Sequence, residues 1–225
     1  MRALLFDVFG TCVDWRTSVA REAEALGLPG EPVADAWRAR YQPQLETVRR
    51  GEREWVVLDV LHREALDDVL AELGLDLDPL QRDALTLAWH RLDPWPDTVA
   101  GLTRLKRRYA LAPCSNGHIA QSVNLARHAG LPWDAILGAE IARAYKPDPV
   151  VYRASVAALG IEPGEAMMVA AHNADLAAAA ECGLRTAFIA RPGEHGPGQR
   201  SDLRAETEVD VEAGDFEALA AALGG

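Results

Sequence analysis

Four short polar clusters carry the side chains whose types could do chemistry together. They are Asp7 with Thr11, Ser115-Asn116-Gly117, Lys146-Pro147-Asp148, and His172-Asn173-Ala174-Asp175. A carboxylate can serve as a nucleophile or a base, and a neighbouring ammonium group favours its charged form. Each cluster alone is also typical of a helix N-cap, a tight turn or a solvated lysine. Because each falls where a strand is expected to end, we interpret the four clusters as parts of one site.

Short apolar segments alternate with helical segments over most of the chain, and this alternation predicts the fold. The expected strands are 2–9, 109–114, 135–137, 166–170, 186–190 and 208–211, and the expected helices are 119–129, 149–159, 173–182 and 216–223. Such alternation is typical of an α/β fold with a Rossmann-like, doubly wound parallel sheet. Since the carboxyl ends of parallel strands share one edge of the sheet, this fold would bring the four clusters together.

Residues from about 15 to 94 follow a different pattern, in which apolar side chains recur at helical spacing. One such set is Leu58, Leu61, Ala65, Val69 and Leu73. This spacing predicts helices, and we expect no strand in the stretch. We therefore predict a helical cap subdomain at 15–95, inserted after the first strand of a catalytic core that comprises 1–14 and 96–225.

The composition is that of a globular chain with an acidic balance. Its 225 residues include 34 acidic and 23 basic side chains, for a net charge of −11, and 49% are hydrophobic. This apolar content excludes a disordered chain. No apolar run is long enough to span a membrane. A chain with a net negative charge is a poor general binder of nucleic acid. Asp7 comes too early for a signal peptide. The three cysteines (Cys12, Cys114 and Cys182) are far apart, which favours a reducing, cytoplasmic location without disulfides.

The four clusters, with the residues before them, resemble the four motifs of the haloacid dehalogenase superfamily. The matching segments are Phe6-Asp7-Val8-Phe9-Gly10-Thr11, Cys114-Ser115-Asn116-Gly117, Tyr145-Lys146-Pro147-Asp148, and Val169 through Asp175. The resemblance extends from Phe6 to about Arg191. It implies that Asp7 is the nucleophile, that Ser115 and Lys146 hold negative charge, and that the helical insertion is a cap.

Two positions decide between the chemistries of this superfamily. Its phosphatases have an acid where this chain has Phe9 and a magnesium-binding acid where it has Ala171. Phe9 cannot protonate a leaving oxygen, and the loss of a carboxylate weakens a magnesium site. A halide needs no proton, so these residues favour carbon–halogen cleavage without a metal or cofactor. A magnesium-dependent phosphatase of a small phosphate ester is the alternative. An inactive binding protein is disfavoured because Asp7 and Lys146 are both present.

The chain is similar in particular to the type II L-2-haloacid dehalogenases. The similarity lies in Asp7 through Thr11, in Trp37-Arg38 with Tyr41, and in Tyr152. It implies a small anionic (S)-2-haloacid as substrate, with a 2-hydroxyacid and a halide ion as products, and a homodimer. It also implies that Arg38 accepts the halide. The remaining substrate contacts are expected from Val8, Phe9, Ser115, Asn116 and Tyr152.

The fourth cluster departs from that branch, which has Ser and Asn where this chain has Ala170 and His172. The resemblance assigns those positions to holding Asp175 and the hydrolytic water, and Asn173 is a neighbouring candidate for the same task. Imidazole titrates near neutral pH, so His172 could deprotonate the water itself. Alternatively, His172 only hydrogen-bonds Asp175, which then acts as the base.

Overall fold

The first apolar run forms a central strand of a six-stranded parallel sheet. In the computed structural model, which describes residues 1–224, the strands are β1 (Ala3–Phe6), β2 (Val13–Asp14), β3 (Asp93–Pro94), β4 (Ala110–Ser115), β5 (Leu137–Gly138), β6 (Ala166–Ala170), β7 (Arg185–Ile189) and β8 (Val211–Ala213). The large sheet has the order β5-β4-β1-β6-β7-β8, and every pairing in it is parallel. The predicted doubly wound α/β fold is confirmed.

Ten α-helices connect and cover these strands in the described residues. They are α1 (Trp15–Glu24), α2 (Gly30–Arg49), α3 (Leu58–Leu73), α4 (Pro79–Thr86), α5 (Thr98–Leu105), α6 (Ile119–Ala129), α7 (Ala139–Ala142), α8 (Pro149–Ala158), α9 (Asn173–Glu181) and α10 (Phe216–Ala222). Short 3₁₀ turns lie at Leu87–His90 and Pro163–Glu165. No helix within residues 1–224 is both long and apolar enough to cross a membrane.

The sheet is covered on both faces because its strands alternate between two apolar clusters. In β1, Leu4 and Phe6 belong to one cluster and Leu5 to the other. The first cluster includes Phe216 of α10, and the second includes Tyr152 of α8. A strand with both faces buried reads as a continuous apolar run, as residues 3–6 do.

The segment between β2 and β3 contains α1 to α4, which we call the helical insertion. Leu58, Leu61, Ala65 and Val69 of α3 are buried as predicted, but Leu73 is 39% exposed, because α3 ends there and Gly74 turns the chain with a positive φ of 64°. The expectation of no strand between residues 15 and 94 was wrong in one detail. Asp93–Pro94 pairs antiparallel with Val13–Asp14 and so joins the two ends of the insertion.

Candidate active site

Asp7 follows β1 directly and is the centre of a buried hydrogen-bond network. One carboxylate oxygen accepts from Lys146 Nζ at 2.9 Å. The other accepts from the Thr11 hydroxyl at 2.8 Å and lies 2.9 Å from Nδ1 of His172. Burial disfavours the charge, but Lys146 and His172 outweigh it and hold the pKa of Asp7 well below its usual range. Asp7 is therefore ionised at neutral pH.

Lys146 lies between two carboxylates at the carboxyl edge of the sheet. Its Nζ is 2.5 Å from Asp175, whose other oxygen accepts from the Tyr152 hydroxyl at 2.5 Å. Burial lowers the pKa of Lys146, but Asp175 and Asp7 raise it by more than burial lowers it, so the net shift is upward. Burial raises the pKa of Asp175. The ammonium group thus contacts both acids from one position.

A cavity of about 430 Å³ opens onto Asp7 and receives side chains from the helical insertion. Its walls include Phe9, Asn116, Lys146, His172 and Asp175 from the core, and Arg38, Tyr41, Gln42 and Arg49 from α2. The Nη2 group of Arg49 donates to the carbonyl of Lys146 at 2.5 Å, and Asn116 donates to the Tyr41 hydroxyl at 3.0 Å. These contacts fix α2 against the strand ends.

The guanidinium group of Arg38 lies over aromatic rings at this cavity. Its central carbon is 4.4 Å from the ring centre of Tyr41 and 5.4 Å from that of Trp15. The Nε atom is buried and has no hydrogen-bond partner within residues 1–224. Arg38 thus lines the cavity with a permanent charge and an unused donor.

His172 contacts Asp7 and Glu194, and this corrects one of the two roles considered for it. Its Nε2 lies 3.0 Å from each carboxylate oxygen of Glu194, while Nδ1 is engaged by Asp7. The expected hydrogen bond to Asp175 is absent in the described part of the chain because both ring nitrogens are already used. Burial lowers the pKa of His172, but Glu194 and Asp7 raise it well above its ordinary value. The ring is a cation between two anions.

Five of the predicted site residues do not line the cavity in the structure of residues 1–224, and one of these, Thr11, contacts the site through its hydrogen bond to Asp7. Asn173 instead donates to Asp202 and to a backbone carbonyl of the neighbouring loop, and its role toward the hydrolytic water stays a prediction. Val8 is buried in the apolar core. The Ser115 hydroxyl accepts from the N–H of Gly117 at 3.3 Å. Tyr152 is fully buried and contacts Asp175.

Comparisons with known proteins fit this arrangement. The sequence profile of a family described as haloacid dehalogenase-like hydrolase matches residues 1–183. The chain belongs to this family. This confirms the resemblance noted in the sequence.

Two relatives of this haloacid dehalogenase-like hydrolase have closely related names. It is 33% identical to an (S)-2-haloacid dehalogenase of Pseudomonas sp. (strain YL), over 86% of this chain and 84% of the relative. It is 31% identical to (S)-2-haloacid dehalogenase 4A of Burkholderia cepacia, over 86% of this chain and 84% of that one.

Solved structures of the family superpose along the whole chain. A defluorinating L-2-haloacid dehalogenase is 49% identical, with a TM-score of 0.97 over 100% of this chain and 96% of that one. An L-2-haloacid dehalogenase from Xanthobacter autotrophicus, with chloropropionic acid covalently bound, is 25% identical, with a TM-score of 0.86 over 100% and 99%.

Sequence reasoning did not find several residues of this family member's site. Glu194 lies in a loop rich in glycine and proline, and no local pattern marks it as functional. Gln42, Arg49 and Asp202 line the cavity but look like ordinary surface residues in the sequence. The glycine at position 10 was the one local signal. In the structure its φ is +86°, and a Cβ at this residue would lie 2.1 Å from Oε1 of Glu194.

The acids of the site are arranged around an ammonium group and not as an open cation site. Lys146 Nζ touches both Asp7 and Asp175, and the neighbouring positions 9 and 171 carry Phe and Ala. A separate group of potential metal ligands, Asp59, His90 and His118, has ligand atoms within 4.8 Å of one another. Asp59 and His90 there form a hydrogen-bonded pair at 2.9 Å.

Proposed function

We propose that this hydrolase cleaves the carbon–halogen bond of small (S)-2-haloacids and releases 2-hydroxyacids and halide. The observation that carries the proposal is the ionised Asp7 carboxylate, which opens onto a cavity shared with Arg38 and with Phe9. Such a site offers a nucleophile and a cation, but no acid at residue 9. A leaving group that departs as a stable anion fits this arrangement, because it needs no acid at residue 9.

The first step is displacement at C2 of the substrate. A carboxylate oxygen of Asp7 forms a bond to C2 from the side opposite the halogen, and the carbon–halogen bond breaks with its electron pair leaving on the halide. Arg38 stabilises the charge that grows on the halogen. The product of this step is an ester of Asp7, and the configuration at C2 is inverted.

The charges in the cavity suit an anionic substrate although the whole chain carries −11. Arg38, Arg49, Lys146 and the His172 cation face three acids, Asp7, Asp175 and Asp202. Asn116 is our candidate for a hydrogen bond to the substrate carboxylate, since its amide lines the cavity. Water then attacks the ester at Cγ of Asp7 and releases the 2-hydroxyacid.

Halide release from a panel of L- and D-2-haloacids, with fluorine, chlorine or bromine at C2, tests the proposal. We expect release from the L acids only, unchanged by EDTA, because Lys146 already pairs with the carboxylates that magnesium would need. Asp7→Asn should abolish release. Asp14→Asn is the matched control, because Asp14 caps α1 away from the site and Asn also caps helices.

Two outcomes would contradict the proposal. One is the absence of halide release from every L acid in the panel. The other is hydrolysis of p-nitrophenyl phosphate that depends on magnesium and is lost with EDTA, which would favour the phosphatase alternative.

A further inference from the structure

Glu194 is a buried acid that the first step of the reaction does not use. Its side chain is 1% exposed. Its Oε1 accepts from Nε1 of Trp15 at 3.1 Å, and both of its oxygens lie 3.0 Å from Nε2 of His172. His172 in turn contacts Asp7. Asp7, His172 and Glu194 therefore form a continuous chain of hydrogen bonds.

The space for Glu194 depends on the loop after β1. Gly10 has a φ of +86°, and a Cβ there would lie 2.1 to 2.8 Å from the carboxylate atoms of Glu194. Any other residue would displace the acid or strain the backbone. Trp15, at the start of α1, holds the same acid from the helical insertion. The position of Glu194 is thus determined from two sides.

The protonation of His172 depends on its two acidic partners. In the free enzyme the negative charges of Asp7 and Glu194 both stabilise the protonated ring, and the pKa of His172 is raised for this reason. Formation of the ester removes the charge of Asp7, so only Glu194 still favours the cation. Other charged groups surround these three residues. Lys146 contacts the oxygen of Asp7 that does not face His172. Arg38 and His195 lie near Glu194, and Asp202 lies near His195. Nδ1 can then lose its proton to solvent through the cavity.

We propose that Glu194 is the positioning residue of ester hydrolysis: it binds Nε2–H of His172 and so directs Nδ1, as the general base, at the water that attacks Asp7. This inference rests on the proposed aspartyl ester and adds the second step to it. Asp175, whose two oxygens are taken by Lys146 and Tyr152, then serves to hold Lys146.

The step balances in atoms and charge. A proton of the water moves to Nδ1 of His172 while its oxygen bonds to Cγ of Asp7, and the carbonyl π electrons move onto the carbonyl oxygen. The tetrahedral intermediate collapses, the bond from Cγ to the ester oxygen breaks, and the departing alkoxide takes the proton from Nδ1. Asp7 loses a proton to solvent and is a carboxylate again.

Glu194→Gln tests the inference in a single turnover with L-2-chloropropionate and excess enzyme. Halide release measures ester formation, and the mass of the peptide that contains Asp7 measures ester breakdown. We expect halide release close to the wild-type rate, because the contact between Asp7 and His172 remains. Ester breakdown should slow by about tenfold or more, so that the ester accumulates. His195→Gln is the matched control, since it removes a neighbour of Glu194 at 3.5 Å and leaves His172 untouched.

The pH profile of ester breakdown separates positioning from a structural role. Loss of the Glu194 charge lowers the pKa of His172 in the ester enzyme, so the acidic limb of the profile should move to lower pH in Glu194→Gln. Unchanged breakdown and an unshifted limb would overturn the inference and leave Asp175 as the base. Absence of halide release in the wild-type enzyme would instead refute the proposed function itself.

Discussion

Arg38 is the side chain whose proposed role depends most on what the helical insertion places above the nucleophile. Arg38→Ala should lower kcat by about 100-fold, because a charge that stabilises the departing halide is removed from the transition state. Steady-state halide release measures this loss.

Arg40→Ala is the control for that experiment. Arg40 lies on the same helix but pairs with Glu72 and the carbonyl of Ala36, away from the cavity. Its removal should leave kcat unchanged. If Arg38→Ala and Arg40→Ala had the same kcat, Arg38 would have no part in halide departure.

Individual residues were predicted from the sequence as far as their position was local. Asp7, Thr11 and Lys146 meet at one carboxylate because strand ends and the turns after them fix their places. Asn173 does not line the cavity although His172 does, because one residue along the first turn of a helix rotates a side chain by about 100°. Glu194 could not be predicted, since only tertiary packing brings it to Trp15, 179 residues away in sequence.

At the scale of elements, an ion pair between the buried Arg191 and the half-buried Asp97 joins the loop after β1 to two helices. Arg191 binds both oxygens of Asp97 at 2.8 and 2.9 Å and donates to the carbonyl of Thr11 at 2.9 Å. Asp97 also accepts from the N–H of Phe216 at 2.8 Å. The pair therefore ties the nucleophile loop to the starts of α5 and α10.

Asp97→Ala should lower the free energy of unfolding by about 3 kcal/mol, because it leaves the Arg191 charge buried without its partner. Urea unfolding measures the change. Asp215→Ala is the matched control: it removes only the N-cap of α10, which is worth about 1 kcal/mol. Equal losses in the two variants would show that the ion pair adds nothing beyond a helix cap.

Elements with a strong period were predicted nearly to the residue, as for Ile119–Ala129 and Ala166–Ala170. The strand Asp93–Pro94 was missed because two residues carry no period, and proline is typical of an edge strand. The boundaries of the cap at 15 and 95 stay a prediction, although β2 and β3 pair at almost those residues.

At the scale of the whole molecule, the pH dependence of the free energy of unfolding should come in part from one buried histidine in the helical insertion. His62 is stacked on Trp89, with ring centres 4.4 Å apart, and neither of its ring nitrogens has a hydrogen-bond partner within residues 1–224. Burial lowers the pKa of His62 to about 3. Between about pH 6.5 and 3 the unfolded chain therefore binds a proton that the folded chain does not, and stability falls as the pH falls.

His62→Phe should remove this contribution while it keeps a ring against Trp89. We expect the loss of unfolding free energy between pH 6.5 and pH 5 to be smaller in the variant, by at most about 1.4 kcal/mol per pH unit. Urea unfolding of both proteins at several pH values gives the difference. Parallel curves would contradict a neutral, unpartnered His62.

The homodimer and the cytoplasmic location stay predictions at this scale.

The central claim is that Asp7 forms a covalent ester, and oxygen labelling tests it most directly. With enzyme in excess over L-2-chloropropionate in water enriched in ¹⁸O, only one turnover takes place. Because the ester oxygen comes from Asp7, the first 2-hydroxyacid should carry ordinary oxygen at C2, and the label should enter the Asp7 carboxylate instead. In later turnovers the label should appear in the product. Labelled oxygen at C2 in the first turnover would mean that water attacks the substrate directly, and it would contradict the account.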